Sequence, residues 1–448
     1  MLDTIVRGAT AVLPAGPARV NIGIEDGKIA AIEPELPQAA CAEIDARGLH
    51  VFPAVIDVHL HFNEPGRTDW EGAGTGSRAL AAGGGAAFFD MPLNSTPCTV
   101  DARAFTEKRR ALEAASIADF GLWGGLVPGN VDRLASLAEL GAVGFKAFLC
   151  DSGLPEFPRA DDCTLFRGLQ EASRLGLPVA VHAESHELTR GLSSEPIGQT
   201  TAVRDFLRSR PVVAEVEAIQ RACLLAGEAN AKLHIVHISS GRGICAALEA
   251  RAKGADVSIE TCGHYLFFTE EDVERLGAIA KCAPPLRSAT EQAGLWTAVQ
   301  NGDVHIIASD HSPAPPEMKS GDFRKAWGGI AGVQSTLAVL LDQGYARRNL
   351  PLERIADLLA STPARRFGLE RKGQLRVGYD ADLTLVDLQA SFQLEPGDLK
   401  QRHAISPYLG RSFRGVVRRT MRRGETIFRN GAICAENGGR FLRPRLTS

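Results

Sequence analysis

Between about Phe52 and Gly368, short apolar runs of strand length alternate with stretches of helical pattern, and this alternation limits the possible folds more than any other feature of the chain. The runs are VFPAVIDVHLH, GAAFFDM, FGLWGGL, GFKAFL, LPVAVHAE, KLHIVHIS, DVSIETC and VHIIASDH. Apolar strands separated by helices pair in parallel, with both sheet faces covered. Eight such units predict an α/β fold, a closed (β/α)8 TIM-like barrel, in which chemistry gathers at the C-terminal ends of the strands.

The two ends of the chain have a different texture. From Leu2 to about Ile44, and again from about Gly373, short β runs such as VNIGIEDGKIAAI, GQLRVGYDADLTLVDL and VRRTMRRGETIFRNG are broken by Gly, Pro and Asp-Gly turns. They predict one discontinuous small β-sandwich, residues 1–52 with 373–448, around a catalytic barrel of residues 53–372. The basic pairs Arg418-Arg419 and Arg422-Arg423 fall in this late stretch and are expected on an exposed strand face.

Composition narrows the partners. With a formal net charge of −3, nothing pulls the chain globally toward nucleic acid or an anionic membrane. No apolar stretch approaches a membrane span, and the start MLDTIVRGATAVLP lacks the pattern of a secretory signal. Nine cysteines without a CxxC pair fit neither a disulfide framework nor a zinc knuckle, so reduced thiols and a cytoplasmic setting are expected.

The chemistry-bearing residues lie where a barrel would use them. His59 and His61 end the first run, and side chains at i and i+2 of a strand share a face, so two imidazoles can converge on one divalent metal. His182, His237 and Asp310 each close another apolar run. Barrel geometry collects strand ends around one axis, which turns scattered residues into one expected metal site. His234 falls on the opposite pleat from His237 and is expected in packing or in support behind the metal ligands, as are His305 and His311. His264, in ETCGHY, is open between a substrate contact and a structural role, and His186 lies in the loop beyond its strand without an assignment.

Lys146 is the anomaly, an amine at the end of the apolar run GFKAFL. Burial depresses a lysine pKa, and a neutral amine can capture carbon dioxide as a carbamate that bridges two cations. The alternative is a lysine that reaches a carboxylate, the usual fate of a buried ammonium. Asp310 could serve both as ligand and as general base, while bound metals would acidify a water and polarise a carbonyl. Zinc is the expected metal, and Co, Mn or Fe suit the same donors.

With these residues assembled, the chain resembles the cyclic amidohydrolases, and most closely the allantoinases among them. The stretches that carry the resemblance are DVHLHFNEPGRTDWEG, DMPLNSTP, GFKAFLC, VHAES, HIVHISS, ETCGHYLFFT, CAPPLR and ASDHSPAPPEMK, and it spans nearly the whole chain. It implies two divalent metal ions held by His59, His61, a carboxylated Lys146, His182, His237 and Asp310, with Asp310 as catalytic base. It also implies hydrolysis of a ring amide in a small ureide, (S)-allantoin to allantoate, and a homotetramer. Substrate contacts would come from Asn63, Asn94, His264 and the backbone near Ala283 and Ser335.

Two departures matter for the substrate. Dihydroorotases place an arginine where this chain has Asn63, and a neutral amide suits a ureide better than a carboxylate. Hydantoinases and dihydropyrimidinases place a tyrosine a few residues beyond the carboxylated lysine, where Phe148-Leu149-Cys150-Asp151 supplies none. A hydantoinase-type cyclic amide hydrolase is the alternative, followed by a catalytically silent scaffold, which a missing ligand would mark. None is missing.

Overall fold

The structure is a computed structural model, and it describes residues 1–194 and 201–445. Five strands leave the N-terminal end: β1 (Leu2–Leu13), β2 (Gly16–Glu25), β3 (Lys28–Glu33), β4 (Ala40–Asp45) and β5 (His50–Pro53). The barrel follows, with β6 (Val55–Leu60), β7 (Gly85–Asp90), β8 (Asp119–Leu122), β9 (Gly124–Gly125), β10 (Phe145–Phe148), β11 (Val179–His182), β12 (Leu233–Ile235), β13 (Val257–Cys262) and β14 (Ile306–Ala308). After it come β15 (Leu383–Gln393), β16 (Ser412–Arg422), β17 (Glu425–Arg429) and β18 (Ala432–Ile433).

The barrel strands pair in parallel in sequence order. β8 and β9 are two halves of the single run FGLWGGL, separated at Trp123, and Val143 N–H reaches the Leu122 carbonyl at 2.9 Å to carry the sheet on to β10. Closure runs from β14 to β6, where the Asp310 N–H donates to the His59 carbonyl at 2.9 Å and the His61 N–H to that of His311 at 2.8 Å. The two segments that carry His59, His61 and Asp310 are thus stitched side by side at the closing seam. Helices cover the outside for ordinary reasons. In the helix Asp162–Arg174, Asp161 caps the start by accepting from the Thr164 N–H at 2.8 Å, and Leu165, Gly168, Leu169 and Ala172 turn one apolar stripe inward.

Strands from both ends of the chain join in one nine-stranded sheet, in which β15 lies against β5 and β5 against β1. Its buried side chains mix Val6, Ile22 and Ile24 with Leu383, Leu385 and Met421, so neither end could bury this core alone. The (β/α)8 barrel with a terminal β-sandwich expected from the sequence is the architecture found.

Two local expectations need correction. The run VFPAVIDVHLH is not one barrel strand: His50–Pro53 belongs to the terminal sheet and only Val55–Leu60 to the barrel. The Pro53 nitrogen has no proton to give a ladder, which suits the point where the chain changes sheets. The arginine pairs do not form an open face either. Arg422 is buried with its guanidinium against the Ile117 carbonyl and Glu425, and Arg423 forms an ion pair with buried Asp119, so these two fasten the terminal sheet to the barrel.

Candidate active site

Strand alternation does what the sequence implied at β6. His59 Nε2 and His61 Nε2 lie 3.4 and 3.5 Å from the same Asp310 oxygen, Oδ1. One ligand atom from each residue falls within 4.8 Å of the others, a spacing that suits a shared cation. A second convergence stands beside it: His182 Nδ1 and His237 Nε2 are 3.0 Å apart, and the His237 ring centroid is 5.3 Å from that of His59. Asp310 and His237 both sit just past their strands at φ of +44° and +39°. Non-glycine residues seldom occupy this left-handed region, and here the turn brings each side chain into the barrel mouth.

Lys146, on β10, is fully buried, and its Nζ has no hydrogen-bond partner. The alternative of a lysine paired with a carboxylate is therefore not what the structure contains. The amine lies 5.2 Å from the centre of the Phe148 ring, and burial draws its pKa down to about 8 despite the attraction of Glu260 and Asp310. Burial likewise lowers the pKa of His59, His182 and His237, which keeps the imidazoles neutral, the form that ligates metal. Neutral nitrogens, an ionised carboxylate and a buried amine without a partner fit divalent metal ions of borderline softness. His59, His61 and Asp310 could hold one ion, His182 and His237 another, and Lys146 could reach both as a carbamate.

Carboxylates behind His59 and His182 set the orientation of those rings, and the sequence reading missed them. Glu260, at the centre of β13, accepts from His59 Nδ1 at 2.8 Å and the His237 N–H at 3.0 Å through Oε1, and meets His234 Nε2 at 2.9 Å through Oε2. Burial would raise its pKa, but His59 and His234 outweigh this and hold it at about 2. Glu184 does the same for His182, 2.8 Å from its Nε2, and forms an ion pair with Arg210. Cys150, His182 and Glu184 also approach as a possible ligand group. Arg210 already supplies the cation there, interacting with both Glu184 and Cys150. A signal for Glu260 was present in the run DVSIETC, where Ser258 and Glu260 share one face of an otherwise apolar strand.

The cleft over these residues has a volume of roughly 400 Å³, and Asn94 and Ala283 line it with the histidines and Asp310. Ser312, unassigned from the sequence, lines it as well, and Asn94 Nδ2 donates to its Oγ at 3.4 Å. Asn63, His264 and Ser335 are not part of the lining. Asn63 turns at φ +63° and donates to the Pro313 carbonyl at 3.3 Å. Ser335 is buried at the start of the short helix Thr336–Val339, and His264 is buried in the field of Asp310, with Nε2 unpartnered.

Of the other histidines, His305 Nδ1 accepts from the Ile259 N–H at 3.1 Å and His311 Nδ1 from the Gly332 N–H at 3.2 Å, both packing roles. His186 opens the helix His186–Ser193 rather than sitting in a loop.

Comparison with known proteins agrees with this geometry. Over the whole chain it is 66% identical to an allantoinase of Solibacter usitatus, with 99% of this chain and 98% of the relative covered. An allantoinase of Deinococcus radiodurans is 53% identical over 99% of both chains. Among solved structures, the L-hydantoinase (dihydropyrimidinase) from Arthrobacter aurescens superposes with a TM-score of 0.96 at 34% identity, covering 98% of this chain and 99% of that one. Residues 50–427 match the model of the amidohydrolase family, and with that match and these full-length relatives the chain belongs to that family.

Proposed function

We propose that this enzyme hydrolyses (S)-allantoin to allantoate by opening the hydantoin ring at an amide bond. The observation that carries the substrate choice is the 66% identity, end to end, to a relative named allantoinase, against 34% for the superposed L-hydantoinase. The site is consistent with it. Asn94 and Ser312 present neutral donors and acceptors to a substrate rich in N–H and C=O groups. Of the cationic lining residues, Arg210 is paired with Glu184 and Lys281 with backbone carbonyls, while Lys325 stands exposed at the rim.

In this reading two divalent metals, zinc foremost, are held by His59, His61, Lys146 as its carbamate, His182, His237 and Asp310. When bound they supply Lewis acidity, acidifying a water and polarising the scissile carbonyl. Asp310 manages the proton. Burial alone would raise its carboxyl, but His59 and His61 outweigh it and hold the group well below the usual carboxylate range. It is therefore ionised at neutral pH, able to take a proton from the attacking water and return it to the departing ring nitrogen. Glu260 and Glu184 keep the His59 and His182 rings aimed while this happens. Asn94, Ser312 and the backbone at Ala283 orient the ring.

A hydantoinase-type activity is the second reading, favoured by the TM-score of 0.96. Turnover of allantoin, hydantoin, dihydrouracil and dihydroorotate by one metal-loaded preparation separates the two. Allantoin as the preferred substrate supports the proposal, and hydantoin or dihydrouracil opened in preference to an intact allantoin overturns it. A homotetramer and a cytoplasmic setting belong to the same proposal. Nine unpaired cysteines fit a reducing compartment, and sedimentation tests the assembly.

A further inference from the structure

One wall of the substrate cleft is a loop with no regular strand in it. Ala326, Trp327 and Gly329 come from the segment 315–329, and Lys281, Cys282 and Ala283 from the segment it lies against. Such a wall needs something other than a sheet ladder to fix it, and two half-buried or buried lysines meet that need in a reciprocal arrangement. Lys281 Nζ donates to the carbonyls of Phe323 at 2.8 Å, Arg324 at 3.2 Å and Ala326 at 2.8 Å. Lys319 Nζ, reaching the other way, donates to Ala278 at 3.2 Å, to Trp327 at 2.9 Å and to Gly329.

An ammonium has three protons, so each lysine is saturated by backbone alone. The Lys281 ammonium also lies 5.2 Å from the Phe206 ring and 5.0 Å from that of Phe323, ring faces that favour a cation against the burial that lowers its pKa. Main-chain bonds close the same seam: the Gly329 N–H donates to the Lys281 carbonyl at 2.8 Å. The far end of the loop then presses on the substrate site itself. A Cβ at Gly329 would come within 2.3 Å of the Ser312 carbonyl, and Ser312 is part of the cleft lining.

We propose that Lys281 and Lys319 are positioning residues, which clamp the 315–329 loop to the 278–283 segment and so set the shape of the cavity that receives the ring and its substituent. Their role is to hold the wall rather than to touch substrate, and the kinetic part of the proposal rests on the cyclic-ureide reading above. Removing either clamp frees the wall while leaving the metal-binding side chains on β6, β10, β11 and their neighbours in place. The cost therefore falls on substrate binding.

The test uses Lys281→Met and Lys319→Met in the full-length, metal-loaded protein, with kinetics, metal analysis and residue-resolved hydrogen exchange. The expected result is a rise of at least about tenfold in KM for allantoin, with kcat within about threefold and two metals per chain retained. Amide exchange at Trp327 and Gly329 should accelerate about tenfold or more over the wild type. Unchanged KM and exchange in both variants would overturn the proposal, as would loss of metal and kcat with KM held, since the lysines would then support the metal centre. If the methionine variants do not fold, Lys281→Gln and Lys319→Gln decide: a raised KM with faster Trp327 and Gly329 exchange supports the clamp, and wild-type values of both overturn it. Failure of wild-type protein to open allantoin counts against the substrate reading alone, because exchange reports on the clamp without a substrate.

Discussion

Two buried lysines in this molecule are treated in opposite ways. Lys372 lies where the terminal segment meets the barrel, with Asp119, Asp380 and Asp382 at 2.9, 3.1 and 2.6 Å from its Nζ. Burial works against its charge, yet Asp382, Asp119 and Asp380 outweigh that and raise its pKa. Lys146 is just as buried, but its Nζ has no partner, and burial draws it down to about 8. A folded chain seldom buries an amine without an acceptor, because the group forfeits its water for nothing. Lys372 shows that this chain can satisfy a buried ammonium. Lys146 is thus a place where an unmet polar group is tolerated, beside imidazoles and a carboxylate already set for metal, and we read the tolerance as room for chemistry.

The largest expected effects come from removing each lysine in turn. Lys146→Ala should lose binuclear metal loading and lower turnover by at least about a thousandfold, as deletion of a group acting within a catalytic unit does. Added short carboxylic acids should restore part of the activity, and retention of two metals per chain in metal analysis would count against a carbamate. Lys372→Met should do the reverse. Turnover per folded molecule stays within a few-fold, while denaturant unfolding shows a loss of about 3–5 kcal/mol, because the buried aspartates lose their counter-charge.

A smaller effect is expected one step back from the metals. Glu260→Gln keeps the shape but not the charge that holds His59 and His234, so metal affinity should fall by about 10–100-fold in competition with a chelator. Equal affinity in the variant and the wild type would show that the imidazoles keep their aim without it.

The pH dependence of the metal-free protein sharpens the contrast further. The folded-state pKa of Lys146, about 8, is below the ordinary 10.5. Between those values the unfolded chain holds the proton that the folded chain has lost, so stability rises with pH across that window. The gain is at most about 3 kcal/mol, from 1.36 kcal/mol per unit. It should disappear in Lys146→Met, with wild type and variant compared by urea unfolding at pH 7 and pH 10. Ser335→Ala should have the smallest effect of all, within about threefold in kcat/KM for allantoin, because Ser335 lies outside the cleft lining.

The barrel was legible because its strands are short, apolar and separated by helical pattern, and the metal-type residues because each closes such a strand. Lys146 stood out for the same reason, as a charge at the end of an apolar run. The sequence was less informative where a role depends on a partner distant along the chain. Glu260 is 201 residues from His59, and Ser312 is 218 from Asn94, so neither pair leaves a local pattern. The surroundings of Asn63 and Ser335 are also set by the fold rather than by local pattern. Their neighbours in sequence suit a substrate clasp, but a left-handed turn sends Asn63 to the Pro313 carbonyl and a helix start takes Ser335 away from the cleft. Arg422 and Arg423 looked like a solvated face because strand alternation says nothing about a second domain covering it.

The most direct test of the central claim is a crystal structure of the metal-loaded protein with anomalous data collected at the absorption edge of the bound metal. Two anomalous peaks should appear, one beside His59, His61 and Asp310 and one beside His182 and His237, joined by branched density extending from Lys146 Nζ. A single peak, or a bare Lys146 amine turned to a carboxylate while the enzyme remains active, would contradict it.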